Sequence, residues 1–401
     1  MICYIYQDVY PWDVRVEKII KSISKVGIES HIISKNNGRL LREEILYNNI
    51  IVHRLPSSEL EIVTQLMNFP MFFSPIWFSE IFSFARKKKP HLIIVRDLPL
   101  APTALLVSKL TGIPILMDMA ENYPEMIRDT WNYRGVRILD YFIRNPNALK
   151  ILEKITVPRM SGILVVSKYS AERVEGLGID KTRIWVVGNT PDILKNDNSR
   201  ISEMAKNVRN LSGFVLLYVG GLEESRGLDV VIKAMPSIIK KKKDVHLVIV
   251  GSGSAEMKLK KLADQLNIMN HVHFLGWIDN IYIHSIIENV DICIVPHYVT
   301  EHTNTTVPNK IFDYMLHKKP IIVTNAVALE DIVLTCMCGE VYEHKNPIDF
   351  AKKVLDLDDV LKREKLGLNG YFAVIEQYNW DKDEKVLLDA ISKLTGLLSS
   401  P

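Results

Sequence analysis

Short hydrophobic runs alternate with amphipathic segments along the first half of the chain. The runs that predict strands are Ile2–Tyr6, Ile28–Ser34, Ile50–Leu55, Leu92–Val95, Ile113–Met117, Gly162–Ser167 and Arg183–Val187. Between them, apolar residues recur at helical spacing, as in the segment that carries Val16, Ile19 and Ile23 and ends at Gly27. Strands that are apolar throughout are typical of parallel sheets covered by helices on both faces. The first half therefore predicts an α/β domain.

A second series of strands and helices begins after a polar break from Lys195 to Asn210. Its predicted strands are Phe214–Val219, Val245–Val250, Val272–Leu275, Asp291–Val295, Ile321–Thr324 and Glu340–Tyr342. Strands that alternate with helices predict a second parallel sheet. We therefore predict Rossmann-like, doubly wound domains over residues 1–190 and 191–375. Residues 376–401 are predicted to form a C-terminal helical segment, with an amphipathic part at Val386–Leu398.

One segment of the first half departs from this pattern. Leu66–Phe84 is dense in Phe, Met and Ile, and the basic run Arg86–Lys89 follows it. Its prolines, serines and Glu80 argue against a membrane-spanning helix. An aromatic face beside lysines suits the surface of an anionic membrane, so Phe69–Lys89 is a candidate membrane contact. A pair of helices packed on the sheet, with a solvated basic end, explains the same residues.

Composition adds few constraints. The 401 residues are 47% hydrophobic and 24% charged, and a net charge of +3 does not call for a nucleic-acid partner. The four cysteines and eleven histidines show no metal-binding spacing, so no metal or other cofactor is predicted. The chain opens directly on a strand, without the pattern of a signal peptide. We expect a cytoplasmic protein, at most peripheral at the inner face of the membrane.

Two glycine turns follow strands of the second half. Gly220 and Gly221 follow the strand that ends at Val219, and Arg226 precedes the next helix. Gly251 and Gly253 follow the strand that ends at Val250. Glycines, a basic side chain and a helix N-terminus together suit a phosphate group. Ordinary strand–helix connections remain the alternative, although both turns are expected at the same edge of the sheet.

Further candidate residues stand at helix starts and strand ends. In the helix predicted near Pro308, Lys310 and Asp313 are one turn apart, either as a surface pair or as ligands of a phosphate and a ribose. In the first half, Asp118 and Glu121 follow the fifth predicted strand. Asp118 is a candidate base or substrate-orienting group, and a helix-capping or loop role is the alternative.

These motifs resemble those of family-4 glycosyltransferases, retaining enzymes of the GT-B fold, in the branch that builds polysaccharides and glycolipids. The similar segments of the second half read YVGGLEESRGLDVVIKAM, LVIVGSG, VHFLGWI, DICIVPHY and PNKIFDYMLHKKPIIVTN. Those of the first half include MDMAENYPE and WVVGNTPD. The resemblance implies two Rossmann-like domains that face each other across a cleft. The first domain would bind the acceptor and the second a nucleotide-diphosphate sugar. The C-terminal helical segment, residues 376–401, would pack back on the first domain.

The resemblance also implies roles for residues. The implied donor-binding set is Gly220, Gly221, Arg226, Gly251, Gly253, Phe274, Trp277, Thr305, Asn309, Lys310 and Asp313. The candidate catalytic set is Arg226, Lys310, Asp118, Glu121 and Glu301. Arg226 and Lys310 would hold the diphosphate and Asp313 the ribose. The sequence departs from the family where an Arg, a Glu and a His are expected, at Gly221, Thr305 and Ala120.

The predicted function is retaining transfer of a sugar from a nucleotide-diphosphate sugar to a saccharide or lipid-linked acceptor, without a metal. Two alternatives stay open. One is a nucleotide-sugar epimerase of the same fold. The other is an inactive nucleotide-sugar-binding subunit, which the three departures from the family pattern would explain.

Overall fold

The structure is a computed structural model, and it describes residues 1–11, 13–38, 40–47, 49–69, 72–136, 138–193, 206, 208 and 210–397. Residue contacts divide the chain into two compact units. Unit 1 comprises Met1–Arg128, Val136–Gly188 and Asp383–Pro401, and unit 2 comprises Asp129–Gly135 and Asn189–Lys382. The polar segment predicted as the domain boundary, Lys195 to Asn210, lies largely outside the described residues.

Unit 1 contains an eight-stranded sheet with the order β3-β4-β2-β1-β5-β6-β7-β8. The strands are β1 Ile2–Val9, β2 Ser30–Lys35, β3 Glu43–Ile45, β4 Ile50–Arg54, β5 Leu92–Arg96, β6 Ile115–Met119, β7 Gly162–Val165 and β8 Ile184–Val186. All neighbours pair in parallel except β3, which runs antiparallel to β4 at the sheet edge. The sequence did not predict β3, whose short, charged stretch has no hydrophobic run.

The helices of unit 1 lie between these strands. They are α1 Val14–Lys25, α2 Glu61–Asn68, α3 Pro75–Lys88, α4 Ala101–Thr111, α5 Tyr123–Arg134, α6 Ile138–Ile143, α7 Pro146–Thr156 and α8 Lys168–Glu175. Contact analysis assigns the last residues of α5, from Asp129, to unit 2. In α1, the Asp13 carboxylate caps the helix by accepting hydrogen bonds from the backbone of Arg15 and Val16. The predicted apolar face of α1, including Val16, Ile19 and Ile23, is fully buried.

The aromatic segment forms the end of α2 and most of α3. Trp77 and Ile81 are fully buried, so much of the face predicted to meet a membrane packs inside unit 1. Pro70 and Met71, within the same segment, lie outside the described residues. On the neighbouring helix α2 apolar side chains are exposed, with Ile62 and Leu66 at 74% and 72%. In this part of unit 1 the structure contains a packed pair of helices and no continuous aromatic face among the described residues.

Unit 2 contains a six-stranded, all-parallel sheet with the order β11-β10-β9-β12-β13-β14. Its strands are β9 Phe214–Val219, β10 Val245–Val250, β11 Val272–Gly276, β12 Ile292–Val295, β13 Ile321–Thr324 and β14 Gly339–Tyr342. The strand order reverses direction between β9 and β12, which pair through Leu216–Ile292 and Leu217–Cys293. Ligands of open α/β sheets bind at such a reversal, beyond the carboxyl ends of the strands.

The helices of unit 2 complete the predicted α/β pattern. They are α9 Leu228–Lys241, α10 Glu256–Gln265, α11 Asn280–Ile287, α12 Lys310–Leu316, α13 Val327–Cys336, α14 Pro347–Asp356 and α15 Val360–Glu376. The last helix, α16 Trp380–Thr395, begins in unit 2, and its residues from Asp383 belong to unit 1. Leu398, the predicted end of this helix, lies outside the described residues. Within the described part of the chain, no helix is long and apolar enough to cross a membrane.

Candidate functional site

The first glycine turn of unit 2 brings the chain close to Lys310. Gly220 has a φ of 138°, and its amide donates a hydrogen bond to the Val250 carbonyl at 2.9 Å. A Cβ atom at this position would lie 2.7 Å from Nζ of Lys310. Glycine is therefore required by the backbone angle, which other residues rarely adopt, and a Cβ here would displace the end of the Lys310 side chain.

The second glycine turn packs directly on the first. The Gly251 amide donates to the Gly276 carbonyl at 2.7 Å, and a Cβ on Gly251 would collide with the Gly220 carbonyl. A Cβ on Gly253 would collide with the backbone of Leu222. The loops that follow β9, β10 and β11 are thus held together at one edge of the sheet. This confirms the expectation that both glycine turns lie at the same edge.

Arg226 ends a short 3-10 turn, Glu224–Arg226, that precedes α9. Gly227 follows with a φ of 69°, and a Cβ there would collide with the carbonyl oxygen of Pro296, after β12. The turn is therefore fixed against the neighbouring strand end. Nε of Arg226 is buried and has no hydrogen-bond partner. A buried, unsatisfied guanidinium nitrogen is costly in a stable protein, and it points to a missing acceptor such as an anion.

His297 lies between the two predicted cations, although the sequence did not single it out. Its Nδ1 is 3.5 Å from Nη1 of Arg226, and its Nε2 is 3.5 Å from Nζ of Lys310. The side chain is 3% exposed. Burial, with the charges of Arg226 and Lys310, lowers the pKa of His297 well below its usual range. The sequence signal that could have identified His297 is its position directly after β12 and Pro296, at the reversal of the strand order.

Lys310 begins α12, and its side chain reaches back to the strand end of β9. Its Nζ lies 4.1 Å from the centre of the Tyr218 ring, which is fully buried. Burial, and then the charge of Arg226, lowers the pKa of Lys310 well below its usual range. Arg226, His297 and Lys310 together form a basic cluster, and a polyanion is the ligand that would relieve its mutual repulsion.

The rest of the predicted donor set lies on the loops and helix around the basic cluster. Asn309 directly precedes α12, and Asp313 lies one turn into it, partly buried. Thr305 donates a hydrogen bond to the His302 carbonyl at 3.1 Å, in the same loop as the exposed Glu301. Trp277 follows β11 and is 72% exposed.

Two residues of the predicted set behave differently from the others. Phe274 packs against the hydrophobic core of unit 2, and Nζ of Lys260 lies 5.4 Å from its ring centre. Its ring is therefore part of the packing of the helical layer. Gly221 is exposed, and a Cβ built on it would have no atom within 4 Å. The missing family arginine at this position is therefore not explained by lack of space.

In unit 1, Asp118 lies inside β6 rather than after its end, which corrects the predicted strand boundary. Its carboxylate is fully buried and accepts hydrogen bonds from Arg15 at 2.7 Å, Arg96 at 2.9 Å and the Tyr4 hydroxyl at 2.7 Å. Burial alone would raise the pKa of Asp118, but the guanidinium groups of Arg15 and Arg96 hold it at about 2. This geometry gives Asp118 a structural role, as the centre of a buried ion-pair network, and its catalytic role stays a prediction.

Asp97, directly after β5, is a second buried carboxylate at the strand ends of unit 1. It has a φ of 53° and is 6% exposed, and its Oδ1 accepts hydrogen bonds from the backbone of Ala120 and Glu121. Burial raises the pKa of Asp97 to about 6, against the opposing charge of Arg96 and with the help of Glu121. The structure therefore brings Glu121 to Asp97. A carboxyl with such a pKa, on a strained backbone, marks this strand end as a candidate functional position.

No group of three or more His, Cys, Asp or Glu side chains suited to a metal ion occurs among the described residues.

The basic cluster lies in a part of the chain that is similar to a known protein family. Residues 213–359 match the family model described as Glycosyl transferases group 1. An uncharacterized glycosyltransferase of Methanocaldococcus jannaschii is 25% identical over 248 residues, which cover 59% of this chain and 61% of the relative. A second glycosyltransferase of that organism is matched over 49% of its length. The match to these relatives thus spans less than two thirds of their length.

Other similarities extend over nearly the whole chain. The capsular polysaccharide biosynthesis glycosyltransferase CapM of Staphylococcus aureus is 21% identical, over 92% of this chain and 91% of CapM. Sucrose-phosphate synthase of Thermosynechococcus elongatus has a similar structure, with a TM-score of 0.80, 14% identity and coverage of 98% and 99% of the two chains. HepE of Anabaena in complex with UDP-glucose has a TM-score of 0.72 at 14% identity, with the same coverage.

The structural similarities confirm the predicted fold class, the GT-B architecture of two Rossmann-like α/β domains. The matching family model and these relatives are named as glycosyltransferases, and the matched residues 213–359 include Arg226, His297 and Lys310.

Proposed function

We propose that this protein is a retaining glycosyltransferase that moves a sugar from a nucleotide-diphosphate sugar to a saccharide or lipid-linked acceptor. The observation that carries the proposal is the basic cluster at the strand-order reversal of unit 2. There Arg226 and Lys310 each lie 3.5 Å from the buried His297, and Nε of Arg226 has no partner. Its location within residues 213–359, which match a glycosyltransferase family model, supports the same function.

The basic cluster suits the diphosphate of the donor. Arg226 offers several N–H groups in a planar fork, and α9 begins directly after Gly227 with free backbone amides at its N-terminus. Helix N-termini favour negative charge. The diphosphate would therefore lie between the side chains of Arg226 and Lys310 and the first turn of α9.

The same groups would promote the reaction. As the bond between the sugar and the diphosphate breaks, negative charge grows on the leaving phosphate oxygen. Cations placed before the reaction stabilise that charge without the cost of reorganisation. In the proposed retaining transfer, the acceptor hydroxyl attacks the same face of the sugar, and a leaving phosphate oxygen takes its proton. The resemblance to family-4 enzymes is what supports retention.

The nucleoside and sugar would contact the loops around the basic cluster. Asp313 would accept hydrogen bonds from the ribose hydroxyls, and the exposed Trp277 would cover the base. Asn309, Thr305 and Glu301, on the loop before α12, would hold the transferred sugar. The UDP-glucose complex of the structural neighbour HepE supports a nucleotide sugar as the ligand.

The acceptor would meet the carboxyl edge of the unit 1 sheet. Glu121 and Asp97 are the carboxylates proposed to orient an acceptor hydroxyl there, with Asp118 fixing the strand ends behind them. The similarity to CapM, named for capsular polysaccharide biosynthesis, supports a saccharide acceptor. A lipid-linked acceptor would also suit a cytoplasmic protein that contacts the inner face of the membrane.

For that membrane contact, α2 is the proposed surface because its polarity is inverted. Thr64 and Asn68 are buried, at 2% and 0% exposure, whereas Leu60, Ile62 and Leu66 are 67%, 74% and 72% exposed. The buried Asn68 accepts from the Asn36 amide and donates to the Pro56 and Thr64 carbonyls. Its amide is thus satisfied inside the unit, and the apolar side of the helix faces outward. The exposed basic end of α3, Arg86–Lys89, would add attraction to anionic lipid.

The experiment that tests the function is an assay of nucleotide sugars with saccharide acceptors, in which the product is detected by mass spectrometry. Arg226→Ala should lower kcat/KM by about 10²–10³-fold, because it removes a donor group aimed at developing charge. Arg159→Ala, at an exposed arginine of unit 1, is the matched control and should leave the rate unchanged. Equal rates for the wild type and Arg226→Ala would contradict the assignment.

The same assay distinguishes the two alternatives. A nucleotide-sugar epimerase would convert the donor in the absence of any acceptor. An inactive subunit would bind the donor in calorimetry and give no product with any acceptor. A glycosyltransferase requires both substrates and forms a new glycosidic bond.

A further inference from the structure

The basic cluster poses a protonation problem in the free protein. Arg226, His297 and Lys310 form a row in which the histidine ring nitrogens are each 3.5 Å from a neighbouring basic nitrogen. Arginine stays charged under all ordinary conditions and can only donate hydrogen bonds. Of the two neutral tautomers of His297, the one with the lone pair on Nδ1 lets the ring accept from Arg226.

The tautomer at Nδ1 also determines the role of Nε2, on the other side of the ring. In a neutral imidazole whose Nδ1 is the acceptor, Nε2 carries the hydrogen and donates. Nε2 of His297 faces Nζ of Lys310. An ammonium group has no lone pair and would oppose that N–H, whereas a neutral amine accepts from it. The geometry therefore favours a neutral Lys310 in the absence of a ligand.

The surroundings of Lys310 also favour its neutral form. The groups that face it are the Tyr218 ring of β9, Arg226 of the 3-10 turn, and His297 of the loop after β12. Nearby titratable groups are Glu223 beside Tyr218, His302 beside His297, and Asp313 and Tyr314 on α12 itself. Burial and the charge of Arg226 both lower the pKa of Lys310. The Tyr218 ring opposes them, because a cation over its face favours the ammonium form.

We propose that binding of the donor's diphosphate draws one proton from solvent onto Nζ of Lys310. This inference rests on the proposed function of the site. The proton forms an N–H bond at the lysine amine, the lone pair that accepted from His297 is used, and the new ammonium donates to a phosphate oxygen. His297 acts as a positioning residue, because its tautomer is set by Arg226 and keeps the amine neutral until the anion arrives.

This coupling would have a consequence for catalysis. The second cation of the site exists only when a diphosphate is bound, so the free protein avoids burying two adjacent positive charges. The ammonium is then in place before the leaving phosphate gains its charge. The affinity for the diphosphate must fall as the pH rises, by up to tenfold per pH unit between the pKa values of Lys310 in the free and bound states.

The test is isothermal titration calorimetry of the full-length protein with UDP, then GDP and ADP, using the nucleotide that binds most tightly. Titrations at pH 8 in HEPES and in Tris give the number of protons taken up from the dependence of the heat on buffer ionisation. The wild type should take up about one proton per nucleotide. Lys310→Arg, which keeps a permanent cation, should bind with almost no uptake and with an affinity independent of pH.

Two further variants identify the group that is protonated. His297→Gln should still take up a proton, because Gln can also accept from Arg226 and donate to the amine. Lys318→Arg, at an exposed lysine whose ammonium lies over Tyr371, is the matched control and should behave as the wild type. Circular dichroism and thermal unfolding check that each variant is folded.

The outcomes separate the inference from the function on which it rests. Nucleotide binding without proton uptake in the wild type would overturn the inference and leave the proposed function standing. Uptake that persists in Lys310→Arg and disappears in His297→Gln would assign the proton to His297 and also overturn it. If no nucleoside diphosphate or nucleotide sugar binds to the folded protein, both the inference and the proposed function are wrong.

Discussion

Single residues decide how much positive charge the proposed donor site holds. The family pattern expects an arginine at position 221, and this chain has Gly221, which is exposed and has no atom within 4 Å of a built Cβ. Its carbonyl accepts a hydrogen bond from the Tyr218 hydroxyl at 2.8 Å, which a side chain would leave intact. The diphosphate therefore depends on Arg226 and Lys310, and the position can accept a third cation.

We expect Gly221→Arg to tighten binding of a nucleoside diphosphate by about fivefold, which corresponds to about 1 kcal/mol for one further charged hydrogen bond at an exposed position. Calorimetry with UDP or GDP measures the effect. Gly221→Gln, similar in reach but neutral, is the control and should bind as the wild type does. Equal affinities for the Arg and Gln variants would show that the added charge does not reach the ligand.

At the scale of elements, the junction between the 3-10 turn and α9 sets the position of Arg226. Gly227 adopts a left-handed conformation in van der Waals contact with the Pro296 carbonyl, so the turn and the end of β12 are locked together. Arg226 and His297 each lie next to one of these two residues. The 3.5 Å distance between Nη1 of Arg226 and Nδ1 of His297 therefore follows from the packing of the turn on the neighbouring strand end.

Gly227→Ala should lower the stability of the protein by about 1–2 kcal/mol for the left-handed backbone and by about 1–3 kcal/mol more for the collision with Pro296. It should also weaken nucleotide binding, because Arg226 must move. Gly112→Ala is the matched control, since Gly112 has a φ of 73° but no atom within 4 Å of its Cβ position. Chemical unfolding and calorimetry measure both effects. A loss no larger than that of Gly112→Ala would exclude the collision as a constraint.

At the scale of the whole molecule, the chain carries a net charge of +3, and one helix, α2, exposes several apolar side chains. On α2, the polar residues Thr64 and Asn68 face the interior, and Ile62 and Leu66 face outward. Phe73, in the following loop, is 66% exposed. An interfacial helix exposes apolar residues in this way beside basic groups.

We expect the protein to sediment with liposomes that contain phosphatidylglycerol and to bind phosphatidylcholine liposomes less. Ile62→Ser with Leu66→Ser should weaken that binding by at least about tenfold, because two exposed apolar side chains no longer enter the lipid. Leu110→Ser, at a residue of α4 that is 58% exposed, is the control and should have little effect. Exchange of Lys87 and Lys88 for Glu should abolish the preference for anionic lipid. Absence of binding to either liposome would reject the membrane contact.

Much of the fold was predictable from local pattern. Buried parallel strands such as Phe214–Val219 and Val245–Val250 are continuous hydrophobic runs, and the predicted bounds of both agree with the structure. The edge strand Glu43–Ile45 was missed, because a short antiparallel edge strand needs no hydrophobic run. Which face of α2 is buried could not be predicted either, because local sequence does not decide it. Asn68 is buried only because the chain brings Asn36 and Pro56 to its amide, and these contacts are distant in sequence.

The sequence by itself determined the two α/β series, the two glycine turns and the identity of Arg226 and Lys310 as candidate phosphate ligands. These depend on hydrophobic periodicity and on the backbone freedom of glycine, which are local properties. Only the tertiary structure decided that His297 lies between the two cations, that Asp118 is neutralised by Arg15 and Arg96, and that Asp97 has a raised pKa. Burial and charge pairing depend on which strand ends become neighbours, and strand order is a property of the folded chain.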